Sequence, residues 1–174
     1  MRIVGGTFAG RTLTSPNDFR VHPTAEPIRV AMMRLLRADI EGARVLDLFA
    51  GTGAIGLEAL SRKAKYVDFV ESRPSSLHAL KANIAALGVR EKTRVYKKDA
   101  LPFADMLLPE RYDLVFADPP YESRMLDRLI ERWQAKPYSR VLAVEHARDH
   151  VLPKGATERQ LFEESGITVY RATP

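Results

Sequence analysis

Asp118-Pro119-Pro120-Tyr121 puts a carboxylate, a main-chain carbonyl and an aromatic ring together at the end of an apolar run. An amine on an aromatic base is a poor nucleophile because its lone pair is delocalised into the ring. Chemistry at such a nitrogen needs hydrogen-bond acceptors that draw it toward an electrophile. The Asp118 carboxylate and the Pro119 carbonyl can both accept from an NH2 group. The paired prolines fix the backbone so that these acceptors converge, and Tyr121 offers a ring on which a base can stack. Two prolines would equally end a strand with nothing bound, so the motif takes its weight from what precedes it.

Upstream, Phe49-Ala50-Gly51-Thr52-Gly53 joins an apolar strand to a helical pattern, and its G-x-G lets the backbone approach a ligand closely. A G-x-G alone also serves a tight turn with no ligand. Glu71 follows Gly51 by 20 residues, at the end of the next strand, where a carboxylate can accept from both hydroxyls of a ribose. Asp99, after the third strand, is placed to meet an adenine edge. Asp47 stands just before the turn, where it would repel a pyrophosphate and attract the ammonium and sulfonium of S-adenosylmethionine. The set therefore describes a pocket for that methyl donor and argues against a nicotinamide dinucleotide.

The elements that must position these residues read as an α/β fold, with short apolar runs alternating with helical patterns from residue 44 onward. Strands are expected at 44–49, 66–71, 93–97, 112–118 and 141–145. Helices are expected from the glycine turn to Ser61, along the Leu77, Leu80, Ile84 and Leu87 face up to Gly88, and over 125–133. Segments 157–163 and 166–172 flank Glu164-Ser165 as a closing hairpin. Ahead of this core, Ile3-Val4 and Leu13 suggest a small β element. Pro23-Thr24 signals the start of a helix carrying Ile28, Met32, Leu35 and Leu36. The chain reads as one domain, residues 1–174, with a basic extension at 1–37 and a catalytic core at 44–174.

Composition narrows the chemistry. The 174 residues contain no cysteine, which removes disulfides, thiolate zinc sites and the thiolate addition that methylation at pyrimidine carbon 5 normally requires. Nitrogen and oxygen acceptors remain. The net charge is +5, and Arg2, Arg11, Arg20, Arg29, Arg34 and Arg37 against Asp18 and Glu26 place +4 of it within the first 37 residues. This asymmetry suggests a face for a polyanion, with Arg11, Arg20 and Arg29 as candidate phosphate contacts. The opening Met1-Arg2-Ile3-Val4-Gly5-Gly6 lacks a secretory pattern and no run is long enough to span a bilayer, so a cytoplasmic protein is expected. His146 and His150 superficially resemble a metal pair but lack a third ligand, and no metal is expected.

Together these motifs resemble the class I methyltransferases, and within them the bacterial 16S ribosomal RNA guanine-N2 methyltransferases of the RsmD type. The likeness extends to Arg2-Ile3-Val4-Gly5-Gly6 with Gly10-Arg11, to Pro23-Thr24 and Ile28-Arg29, and to Gly56-Leu57-Glu58-Ala59-Leu60-Ser61-Arg62. It implies a Rossmann-like three-layer α/β/α sandwich on a mostly parallel seven-stranded sheet with an antiparallel last strand. It implies that Asp47, Phe49, Ala50, Gly51 and Gly53 hold the methionine end of the cofactor, Glu71 the ribose, and Asp99 with Ala100 the adenine. Asp118, Pro119, Pro120 and Tyr121 would hold guanine, and His22 and Thr24 would lie in a segment closing over the substrate.

The implied partner is ribosomal RNA, free or within the small subunit, and a monomer is expected. His22 and Val30 stand where the family typically has Arg and Glu, which bears on substrate positioning more than on cofactor binding. The rival readings are an N6-adenine methyltransferase on DNA or RNA, which uses the same acceptor logic, and a catalytically silent RNA-binding protein on the same fold. A glutamine-amide methyltransferase would usually present Asn where Asp118 stands.

Overall fold

The computed structural model describes residues 1–17, 23–121 and 124–173. Its centre is a seven-stranded sheet in the spatial order β3-β2-β1-β4-β5-β7-β6. The first five strands are β1 (Arg44–Leu48), β2 (Tyr66–Val70), β3 (Thr93–Tyr96), β4 (Tyr112–Ala117) and β5 (Ser139–Ala147). All of their pairings are parallel. The hairpin is present as β6 (Glu158–Leu161) and β7 (Ser165–Arg171), and β7 slots antiparallel between β5 and β6. Strands β1, β2 and β4 are buried almost throughout, which is why they read as continuous apolar runs without alternation.

Helices cover both faces: α3 (Ala54–Ser61), α4 (Pro74–Leu87), α5 (Ala100–Asp105) and α6 (Met125–Ala135). Gly88 caps α4 at φ +67°, a conformation suited to glycine, and its N–H and that of Val89 return to carbonyls of the last turn. One apolar cluster gathers Val45, Val67, Phe69, Leu57 and Leu80 with residues of the N-terminal segment. The other gathers Leu46, Val70, Val115, Leu129 and Trp133 on the opposite face. Helix α5 has only six residues and was too short to announce itself by periodicity.

The N-terminal extension differs from expectation in two respects. The β element is a single antiparallel bridge, Arg2 with Thr12, anchored by buried Ile3 and Leu13. The helix α1 (Glu26–Leu35) starts after Ala25 and not at Thr24, and Ala25 makes no side-chain cap bond. Pro27 sits in its first turn, where the missing N–H costs nothing. A short α2 (Arg37–Ile40) leads into β1. Among the described residues no helix is long and apolar enough to cross a membrane.

Candidate active site

Because β1, β4 and β5 run parallel, Asp47, Asp118 and Glu145 all fall at their carboxyl ends. Leu48 pairs with Ala117 and Ala117 with Val144, so Asp118 and Glu145 are the next residues on adjoining strands. The turn after β1 is formed by Phe49 at φ +60°, Gly51 at φ +56° and Gly53 at φ +80°. A phenylalanine in the left-handed region is strained, and such strain is held where the surrounding structure needs the geometry. A side chain added at Gly51 would point into open space, whereas one at Gly53 would strike Leu80. Gly51 therefore keeps room for a ligand, and Gly53 lets the turn pack. Ala50 is buried, its N–H bonded to the Val70 carbonyl at 2.9 Å.

Asp47 is buried at 2% exposure and accepts from the Gly56 N–H at 2.9 Å. Burial outweighs that bond and, with repulsion from Glu71, pushes its carboxyl up to about 7. Glu71 accepts from Gly51 N–H at 2.8 Å through Oε2, and from Ser72 and Arg73 N–H at 2.8 and 2.7 Å through Oε1. These bonds tie the end of β2 to the glycine turn. Oε2, with one donor, keeps a lone pair for a hydroxyl. Asp99 stands exposed at the start of α5, directly before buried Ala100.

Asp118 is partly buried, and its Oδ2 accepts from the Thr24 hydroxyl at 2.7 Å. Thr24 thus spends its hydroxyl on the acceptor motif instead of capping α1. Pro119 is buried, Pro120 is exposed, and Tyr121 is half exposed with its hydroxyl donating to Glu145 Oε1 at 2.8 Å. Burial, countered by the Thr24 bond, raises Asp118 to about 6; burial and the Asp118 charge raise Glu145 to about 8. Two carboxyl groups this close titrate as a pair, and both move in the direction of holding a proton. Glu145 was not among the residues singled out from the sequence. Its signal in the sequence is a carboxylate directly after the apolar run Val141 to Val144.

Those histidines are occupied internally: His146 meets the Ala147 carbonyl and the Thr168 hydroxyl at 2.9 and 2.8 Å, and His150 meets Asp127 at 2.7 Å. Among the described residues no group of three or more His, Asp or Glu is arranged to hold a metal ion.

The expected phosphate contacts divide. Arg29 is corrected: it is 2% exposed, and its guanidinium donates to the Thr24 and Arg2 carbonyls at 2.7 and 2.8 Å and pairs with buried Glu58 at 3.7 Å. Glu58 also accepts from Arg62 and, at 2.7 Å, from the Val4 N–H. A guanidinium enclosed this way cannot neutralise a phosphate; it docks the N-terminal segment onto α3. Arg11 is exposed and donates to the Ala86 carbonyl at 2.7 Å. Arg20 and His22 lie outside the described residues. Asn83 joins the same segment to the glycine turn, bridging the Thr14 backbone and the Thr52 carbonyl.

A glycine turn after β1, acids at the ends of β1 and β2, an acceptor motif after β4 and an antiparallel β7 inserted beside β5 define a class I methyltransferase. The family described as Conserved hypothetical protein 95 matches residues 1–172. The chain belongs to that family, the RsmD-type methyltransferases.

It is 32% identical to "Ribosomal RNA small subunit methyltransferase D" of Haemophilus influenzae, over 98% of this chain and 92% of that one. A solved Thermus thermophilus structure, described as hypothetical protein TTHA0928, aligns with a TM-score of 0.83 at 28% identity over 99% of both chains. A SAM-dependent methyltransferase from Agrobacterium tumefaciens shares the fold at 18% identity, with a TM-score of 0.62 over 86% of this chain and 64% of that one.

Proposed function

We propose that the protein transfers a methyl group from S-adenosylmethionine to the exocyclic N2 amine of a guanine in small-subunit ribosomal RNA. The carrying observation is the convergence, at one sheet edge, of an open glycine turn with buried carboxylates and of the Asp118-Pro119-Pro120-Tyr121 acceptor motif. The residues fit the cofactor. Asp47 is a buried carboxyl at the foot of the turn, and burial makes its charge unfavourable until a cation answers it. Asp47 with Gly51 and Gly53 would hold the methionine end, with Phe49 and Ala50 shaping the turn. Glu71 would take the ribose, and Asp99 with Ala100 the adenine. When bound, the cofactor supplies an electrophilic methyl carbon on a sulfonium.

The chain's own part is to make the amine reactive. Asp118 and the Pro119 carbonyl accept the two N–H bonds of the amine, turn its lone pair toward the methyl donor and stabilise the positive charge that develops on nitrogen. Asp118 then takes the proton that the methylated nitrogen sheds. Tyr121, anchored by Glu145, offers its ring to the base. The ribosomal RNA assignment is supported by the relative of that name.

The test is transfer of tritium from labelled cofactor to small subunits, naked 16S RNA, DNA and protein, followed by nucleoside analysis. Label in N2-methylguanosine is expected; label in N6-methyladenosine or in protein would overturn the assignment. Asp118→Ala should abolish transfer while calorimetry finds cofactor affinity within a few fold of wild type.

A further inference from the structure

Glu145 has no task in the transfer as described beyond holding Tyr121, yet it is 4% exposed beside the acceptor motif. Its Oε1 accepts from Tyr121, whereas Oε2 is buried with no fixed donor among the described residues and faces the Asp118 carboxyl, with which it shares a proton until a better donor arrives. The Thr24 hydroxyl is near, but its single proton goes to Asp118 Oδ2. A buried carboxylate oxygen left without a fixed donor is destabilising, so one kept at a substrate site is available to a ligand's donor. Glu145 also lines a crevice with Pro119, Pro120 and Tyr121, the backbone and ring assigned to the base.

Taking the guanine reading above as given, we infer that Glu145 is the specificity-determining residue for the base, accepting the ring N1–H of guanine while Asp118 accepts from the neighbouring N2 amine. Guanine presents those two donors side by side on its Watson–Crick edge. Adjacent carboxylates from adjacent parallel strands match that spacing in kind, one acceptor for each donor. Adenine presents an amine beside a ring nitrogen that is itself an acceptor, so its N1 lone pair would face the Glu145 oxygen with no hydrogen between them. Rejection arises from that unmade, desolvated contact. Burial and the Asp118 carboxyl oppose the ionisation of Glu145, whereas the Tyr121 and Thr24 hydroxyls favour it; an N1–H donor adds to the second. Glu145 takes no proton from the base: guanine N1 keeps its hydrogen throughout.

The experiment compares target RNA carrying guanine with RNA carrying 2-aminopurine at the same position, in wild type and in Glu145→Gln, at pH 8.5. 2-Aminopurine keeps the N2 amine but has an acceptor at N1. Wild type is expected to prefer guanine by about 10- to 100-fold in kcat/KM, the scale for a hydrogen bond to a charged group. Glu145→Gln, whose amide can turn an N–H toward that acceptor, should bring the preference within about 3-fold while cofactor affinity measured by calorimetry is retained.

A Glu145→Gln enzyme that binds cofactor and keeps the wild-type preference overturns the inference, because a residue that merely props Tyr121 would slow both bases alike. Should the variant not fold, wild type decides alone: equal use of the two bases refutes a donor contact at N1. Failure of the underlying reading looks different, since no label would then appear at guanine N2 in any RNA.

Discussion

At the scale of single residues, the site is governed by carboxyl groups held where water is scarce. Thr24 donates the bond that steadies the ionised form of Asp118. Removing it in Thr24→Val should push the Asp118 carboxyl further up. The acid limb of the single-turnover rate should then move to higher pH than in wild type, with the loss greatest between pH 6 and 7; an unshifted limb would show that Asp118 titration does not govern the step.

Asp47 carries a second, oppositely informative test. Its folded value, about 7, lies above the ordinary carboxylate range, so stability present at low pH is lost as pH rises through 7. Asp47→Asn has no charge to bury. It should match wild type in melting temperature near pH 4, exceed it at pH 8, and bind cofactor at least 10-fold more weakly, as read by thermal melts and calorimetry. Equal melting temperatures at pH 8 would mean that the Asp47 charge is already compensated.

At the scale of elements, the N-terminal segment is fastened to the core by one buried polar cluster. Arg29 on α1 links Thr24, Arg2 and Glu58, and Glu58 on α3 in turn holds Val4 and Arg62. Removing one member of a buried charge pair strands the other, so Arg29→Gln should cost about 3 kcal/mol in denaturant unfolding. It should also slow transfer, because the Thr24 carbonyl loses its anchor and the hydroxyl over Asp118 loses its position. RNA affinity should change little at moderate salt, which separates this role from phosphate binding.

At the scale of the whole molecule, the excess positive charge remains concentrated before residue 38, but Arg29 no longer counts toward an outward face. Arg11 and Arg20 are the remaining candidates from the sequence. Replacing both with Gln should lower the log–log salt slope of RNA binding by up to about two, one for each phosphate that is no longer neutralised. Cofactor affinity should stay as it is. An unchanged slope would make the basic segment a solubility feature.

Periodicity, turn residues and motif order were enough to place five parallel strands, the closing hairpin, the glycine turn and the acceptor motif, because each depends on residues close together in the chain. Gly88 at the end of α4 and Pro119-Pro120 after β4 act through their own backbone and read directly. What depended on the fold was the partner of each buried polar group.

Arg29 and Glu58 are 29 residues apart, and nothing local distinguishes a buried arginine from a phosphate-binding one. Thr24 resembled a helix cap until Asp118, 94 residues away, took its hydroxyl. Glu145 became visible only when parallel pairing of β4 with β5 set it beside Asp118. Local chemistry is written in the order of the residues, whereas the desolvation that turns a carboxylate or guanidinium into a site or a strut is a property of what the tertiary structure packs around it.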